Sequence, residues 1–323
     1  MKTAVIFGIS GQDGAFLTEF LLEKKYKVIG ISRDAQGSAF ANLKRLGLKD
    51  KVEFVSASIH DFRSVLQVVS NYKPDEIYNL AGQSSVGLSF DQPVETFESI
   101  SIANLNLLEA IRFLDIPTKL YNAGSSDCFG NTNGKAVTEQ DPFKPRSPYG
   151  VAKAAAYWQV ANYREAYNLF ACTGILFNHE SFLRSERFVT QKIVKTACRI
   201  AGGSKEKLLL GNISIERDWG WAPEYVRAMW AMLQQETPDD YIVATGETHS
   251  LTDFISSVFQ KLNLNWKDHV KTDKDLFRPT DIQSIKADPG KAEKVLGWKA
   301  KNKINEITKL MVEAELENLK STK

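Results

Sequence analysis

Tyr149 and Lys153 stand four residues apart in the run Tyr149-Gly150-Val151-Ala152-Lys153. On a helix, positions i and i+4 share one face. An ammonium one turn from a phenol stabilises the phenolate and lowers its pKa from about 10 toward working pH. Such a pair can draw the proton from a substrate hydroxyl. The spacing alone is common and decides nothing, so its company matters. Gly124-Ser125-Ser126-Asp127 offers hydroxyls and a carboxylate, and Gly8-Ile9-Ser10-Gly11-Gln12-Asp13-Gly14 offers a different chemistry. Glycines so spaced allow a tight turn, close backbone approach to a pyrophosphate and close helix–strand contact. A helix following that turn aims free N–H groups and a partial positive charge at the phosphates.

These groups need a scaffold. Ala4 to Gly8 is a short apolar run leading into the glycine turn and then a helical pattern of Phe16, Phe20 and Leu21. Further strands are predicted within residues 27–31, 52–55, 76–80, 119–123 and 172–177, and helices within 62–70, 100–113 and 149–169. Strands alternating with helices imply βαβ units, hence a right-handed, doubly wound parallel sheet covered on both faces. The expected fold class is therefore α/β, Rossmann-type, with a smaller, interleaved α/β lobe beyond Asn178. Pro145-Arg146-Ser147-Pro148 breaks the chain just before Tyr149. Gly124 to Asp127 leaves the carboxyl end of a predicted strand, where open α/β sheets place their sites.

The end of the second strand bears on which dinucleotide the turn would cradle. NAD binders commonly carry an acidic residue there for the ribose 2′-hydroxyl. This chain reads Ile31-Ser32-Arg33-Asp34, with a guanidinium where a 2′-phosphate would lie. Arginine suits a bidentate contact with phosphate. NADP is the expected cofactor; an exposed Arg33 beside an Asp34 that serves NAD is the alternative.

Composition narrows the setting. The chain has 323 residues, 43% of them hydrophobic and 25% charged, which excludes a disordered chain, a collagen or a coiled coil. Its 41 basic and 39 acidic residues leave a net charge of +2, so no bulk field favours nucleic acid or a membrane surface. Cys128, Cys172 and Cys198 are too few and too scattered for a disulfide framework, and no CxxC pair suggests zinc. A cytoplasmic, reducing compartment is expected. The opening MKTAVIFGISG is too short an apolar run for a signal segment, and no stretch approaches the roughly 18 residues that span a bilayer.

Longer segments carry a specific resemblance. GISGQDG at 8–14, PDEIYNL at 74–80, PRSPYGVAK at 145–153 and NYREAYNLFACTGILFNHES from Asn162 are matched by FVTQKI at 188–193, RDWG at 217–220, ATGETHS at 244–250, FRPT at 277–280 and LGW at 296–298. Over nearly its whole length the chain resembles the GDP-mannose 4,6-dehydratase family of extended short-chain dehydrogenases/reductases. The resemblance implies redox-neutral dehydration of a GDP-sugar. Tyr149 would take the C4 hydroxyl proton as hydride leaves for NADP. A carboxylate would then remove the C5 proton, the C6 hydroxyl would depart as water, and hydride would return to C6. In that family the loop after the fifth strand carries a Thr–Ser–Glu run. Here Ser125 takes the Thr position, Ser126 the Ser, and Asp127 the Glu, as C5 base and C6 acid, one methylene (about 1.5 Å) shorter. A helix N-cap is the alternative reading of Asp127.

The same resemblance distributes the remaining residues. Gly8, Ser10, Gly11, Gln12, Asp13 and Gly14 would hold the pyrophosphate, Arg33 the 2′-phosphate, and Ser58 with Ile59 the adenine, Ser58 standing where relatives usually have Asp. Leu80, Ala81 and Gln83 would pass over the nicotinamide ribose, with Lys153, His179 and Arg184 near the cofactor. A histidine read alone is more often a hydrogen-bonded structural residue, so the role of His179 rests on the resemblance; no metal site is expected. Ser84, Ser85, Ser126 and Asn178 would face the sugar. Val189, Gly211 and Asn212 would border the guanosine, and Lys192, Arg217 and Arg278, with Asp281, would meet the diphosphate. Residues 1–177 would form the NADP-binding domain, which also receives part of 217–250, and 178–323 mainly the GDP-sugar lobe. Ser38 to Arg45 resembles a loop that reaches a neighbouring subunit's cofactor, implying a homotetramer, or at least a dimer, strengthened by NADP. The rival readings are the same chemistry on another GDP-hexose or GDP-heptose, a GDP-4-keto-sugar reductase or epimerase, and a catalytically silent NADP-binding scaffold.

Overall fold

The computed structural model describes residues 1–321. Apolar runs in the first part of the chain form Thr3–Phe7 (β1), Lys27–Ser32 (β2), Glu53–Ser56 (β3), Glu76–Asn79 (β4) and Lys119–Ala123 (β5). Ala171–Leu176 and Tyr241–Val243 complete a seven-stranded sheet in the order Tyr241–Val243, Ala171–Leu176, β5, β4, β1, β2, β3. All its pairings are parallel. Ala4, Val5 and Ile6 are wholly buried, because helices cover both faces and leave no solvent side to alternate with. The chain winds outward through β2 and β3 on one side of β1 and through β4 and β5 on the other. That reversal opens a crevice at the carboxyl ends of β1 and β4.

Gln12–Glu23 (α1) and the helix Ala222–Leu233 pack together on one face of the sheet. Phe62–Tyr72, Ala103–Leu114 and Pro148–Tyr167 cover the other. A second apolar cluster gathers Val189–Ala201, Leu251–Lys261 and Ile304–Ser321 around Trp219 and Phe254. A small sheet links the two. Glu216–Trp221 lies parallel to Asn178–Glu180 and antiparallel to Thr248–Ser250.

The single helix expected within 100–113 begins earlier and less regularly. A π-turn at Glu98–Ile102 precedes Ala103–Leu114, after two short helices at Val86–Asp91 and Pro93–Phe97. The turn brings Ser99 to the loop after β4, where its Oγ accepts the Gln83 N–H at 3.1 Å.

Candidate active site

The sequence from β1 to α1 builds one wall. Gly8 has φ +87°, and a Cβ there would lie 2.6 Å from Leu80, so the turn can pass under the end of β4 only without a side chain. A Cβ on Gly14 would meet the Gly8 carbonyl at 2.5 Å, so α1 sits hard against the turn. Gly11 caps α1 with no side-chain acceptor, leaving the first N–H groups of the helix for a ligand. Arg33 is exposed at the end of β2. Asp34 is engaged in its own loop: Oδ1 accepts the N–H of Gln36 at 3.0 Å and of Gly37 at 2.7 Å. An uncapped helix start and a glycine turn with no room for side chains together fit the pyrophosphate of a dinucleotide.

A cavity of about 380 Å³ opens from this wall across the ends of β4 and β5. Ser147 caps the helix Pro148–Tyr167, its Oγ accepting the Gly150 N–H at 3.0 Å, and Pro148 at the first position has no N–H to lose. Tyr149 and Lys153 therefore share one face at the start of that helix, both buried and both lining the cavity. Lys153 Nζ donates to the Ala123 carbonyl at 2.6 Å and lies 5.8 Å from the Tyr149 ring centre. Burial pulls its pKa down to about 8. The phenol does not have the lowered pKa expected from the sequence. Burial pushes Tyr149 well above its ordinary value and the Asp127 charge adds to this, while the Ser125 hydrogen bond and Arg184 pull the other way. The lysine is spent on a backbone carbonyl, and a desolvated phenol beside a carboxylate stays protonated.

Asp127 sits in the short 3₁₀ turn Ser126–Cys128 that follows β5. Ser125, not Asp127, caps that turn: its Oγ accepts the Asp127 N–H at 3.2 Å. The Asp127 carboxylate is thus left to the cavity. Burial pushes its pKa up; Arg217 and Arg278 oppose this, and Asp281 adds to it.

The far wall is cationic. Arg217 is 6% exposed and donates through Nη1 to the carbonyls of Glu216 and Ile282, both at 2.8 Å. Its Nη2 lies 3.5 Å from Asp281 Oδ1, and Arg278 Nη1 lies 3.7 Å from the same oxygen. Lys192 Nζ donates to the Leu209 carbonyl at 2.7 Å. The helix Val189–Ala201 starts here with no side-chain cap, so its first N–H groups also face the cavity.

The family profile described as GDP-mannose 4,6 dehydratase matches residues 5–311. The chain is 47% identical to GDP-mannose 4,6 dehydratase 1 of Arabidopsis thaliana, covering 100% of this chain and 92% of that one. This chain belongs to the GDP-mannose 4,6-dehydratase family. It is also 41% identical to the Dictyostelium discoideum enzyme of that name (99% and 97% covered) and 40% identical to that of Sinorhizobium fredii (100% and 99%). Its fold is that of a Bacillus anthracis dTDP-glucose 4,6-dehydratase solved with NAD, at TM-score 0.86 and 17% identity over 99% and 98% of the chains. A Thermus thermophilus UDP-glucose 4-epimerase solved with NAD superposes at TM-score 0.84, with 24% identity over 97% and 98%.

In this dehydratase-family chain the cavity gathers Asp13, Leu80, Ser84, Ser85, Ser125, Ser126, Asp127, Tyr149 and Lys153 from the sheet side. From the other side it gathers Asn178, His179, Arg184, Val189, Lys192, Gly211, Asn212, Arg217, Arg278 and Asp281. Gly8, Ser10, Gly11, Gln12, Gly14, Arg33, Ser58, Ile59, Ala81 and Gln83 lie outside its lining. Several of these brace the wall. Gln12 donates to the His179 carbonyl at 3.2 Å and accepts from Ser181 Oγ at 2.7 Å, and Gln83 donates to Ser85 O at 2.8 Å and Thr96 Oγ1 at 3.2 Å. Ile59 faces the core, with its carbonyl taking Asn106 Nδ2 at 2.9 Å; Ser58 lies beyond β3. His179 is held at both ring nitrogens, by Phe177 O at 2.8 Å and Asp13 Oδ2 at 2.9 Å. Within Ser38 to Arg45, Phe40 and Leu43 are buried and Arg45 Nη1 donates to the Phe182 carbonyl of its own chain at 2.9 Å. Sequence reading missed Glu180, Arg187, Phe188 and Thr190, all in the lining. Glu180 stood in the quoted NHES run, the one signal that could have marked it.

Proposed function

We propose that this chain catalyses the redox-neutral, NADP-dependent dehydration of GDP-mannose to GDP-4-keto-6-deoxymannose. The reading is carried by one observation: a phenol and a separate buried carboxyl share a cavity whose opposite wall holds Arg217 and Arg278. Oxidation at C4 needs the first group only. Elimination across C5 and C6 needs a second acid–base group as well.

The bound dinucleotide supplies a hydride acceptor and donor and a positive charge. In the ligand-free protein Tyr149 is protonated; the positive charge of a bound dinucleotide would favour the phenolate that accepts the C4 hydroxyl proton, and Ser125, bonded to the phenol, holds that hydroxyl in line. The charge of Lys153 favours the phenolate. The C4 ketone acidifies C5, and Asp127 takes the C5 proton and passes it to the departing C6 hydroxyl; once hydride is returned to C6, the proton taken up by Tyr149 balances the one that C5 regains from the site or from solvent. A carboxyl raised by burial and restrained by two guanidiniums suits both taking and giving that proton. Arg217, Arg278 and Lys192 pair with the diphosphate.

NADP is favoured by the exposed Arg33 and by the commitment of Asp34 to its own loop. NADP should bind at least tenfold more tightly than NAD, about 1.4 kcal/mol, and Arg33→Ala should erase most of that gap; equal wild-type affinities would contradict it. A homotetramer is favoured by exposed apolar side chains on adjoining helices, among them Val94, Phe113 and Trp158 at 68%, 67% and 62% exposure. A cytoplasmic setting is favoured by three buried, free cysteines. Incubation with GDP-mannose and no added reductant tests the central reading. A 4-keto-6-deoxy product should form with no net change in NADPH. A requirement for both NADPH and a keto sugar would make the enzyme a reductase instead.

A further inference from the structure

Glu180 is 1% exposed, lines the cavity, and has no part in the chemistry described above. A buried carboxylate is costly unless paired. Its Oε2 accepts a hydrogen bond from Thr190 Oγ1 at 2.6 Å and lies 3.4 Å from Arg184 Nε. The two partners belong to different walls. Thr190 is in the first turn of Val189–Ala201, the uncapped helix that also carries Lys192 on the nucleotide side. Arg184 stacks on the Phe188 ring at 3.8 Å, and its charge reaches Asp13 of α1 and Tyr149. Arg184 Nε is buried without a hydrogen-bond partner among the described residues, so the Glu180 charge and the Phe188 ring are what hold that end of the guanidinium. The backbone of Glu180 is itself fixed, paired with Trp221 in the small sheet.

We propose that Glu180 is a positioning residue that couples the two halves of the site, so that filling the nucleotide-sugar side tightens the dinucleotide side and the reverse. The proposal rests on the functional reading above. A diphosphate drawn against the start of Val189–Ala201 fixes Thr190, Thr190 fixes the carboxylate, and the carboxylate fixes Arg184 for the cofactor. Linkage requires the effect to be equal in both directions.

The test uses the full chain with GDP and NADPH as probes. NADPH affinity is measured by nucleotide fluorescence with and without saturating GDP, and GDP affinity by calorimetry with and without NADPH. In the wild type each ligand should tighten the other by at least fivefold. Glu180→Gln should bring that factor within twofold of one. Thr190→Val, which removes one hydroxyl and keeps the charge pair, should do the same, and Thr190→Ser should restore the coupling. A residue needed only for folding would lower the melting temperature and leave the factor unchanged, so unchanged coupling in Thr190→Val overturns the proposal. A wild type that binds both ligands without coupling overturns it equally. A wild type that binds neither GDP nor NADPH would instead sink the functional reading.

Discussion

In the proposed reaction Asp127 and Tyr149 divide the chemistry, and the division can be observed. Asp127→Asn removes the carboxyl but leaves the phenol, Ser125 and Lys153 in place. It should block elimination and still permit oxidation at C4, so NADPH should accumulate in a single turnover with GDP-mannose while C5 fails to exchange with heavy water. Loss of a general base costs about 10²–10⁴ in rate; a turnover within twofold of wild type would move the proton transfer to another group. Tyr149→Phe should abolish the NADPH signal itself. The shared face of Tyr149 and Lys153 was legible because a four-residue spacing is a statement about one helix face. The raised phenol was not, because burial and the neighbouring Asp127 come from another segment.

At the level of elements, the proposed reaction makes the first turn of the helix Pro148–Tyr167 matter for catalysis as well as for stability. Ser147→Ala strips the cap and leaves the buried Gly150 N–H without its acceptor. Such a cap is worth about 1 kcal/mol, which corresponds to a fall of roughly 2–4 °C in melting temperature. Turnover should fall too, since Tyr149 lies inside the loosened turn, whereas NADP affinity at the distant Arg33 should hold. Calorimetry with steady-state kinetics checks both; an unchanged melt would show that the cap contributes nothing. Pro148 and the polar run before it made this boundary readable. The π-turn at Glu98–Ile102 left no comparable mark, since its widening meets a loop far along the chain.

For the whole molecule, the contact between His179 and Asp13 ties α1 to the small sheet that joins the two apolar clusters. Burial opposes charge on both groups, but their mutual attraction prevails: His179 is raised and Asp13 is lowered. A raised histidine stabilises the fold fully below its unfolded value of about 6.5, and that contribution is lost as pH climbs through the folded value. A lowered aspartate stabilises above about 3.9, and its contribution is lost as pH falls through the folded value. The pair should therefore stabilise most between about pH 4 and 6.5. Thermal melts of the ligand-free protein should decline above pH 6.5, and His179→Gln should flatten that decline. A variant whose curve keeps the wild-type slope would place the titration elsewhere.

The doubly wound sheet, the glycine turn and the tyrosine–lysine face were decided by near neighbours, whereas the cationic residues of the second wall were marked only by the family resemblance. Apolar runs, glycine spacing and helix breaks act within a few residues, so they can be read in order along the chain. Other features were decided by folding. Asp281 stands between Arg217 and Arg278, and Glu180 joins Thr190 to Arg184. Each depends on which charges share a desolvated space, and residues distant in the chain share one only after the sheet and the helices have packed.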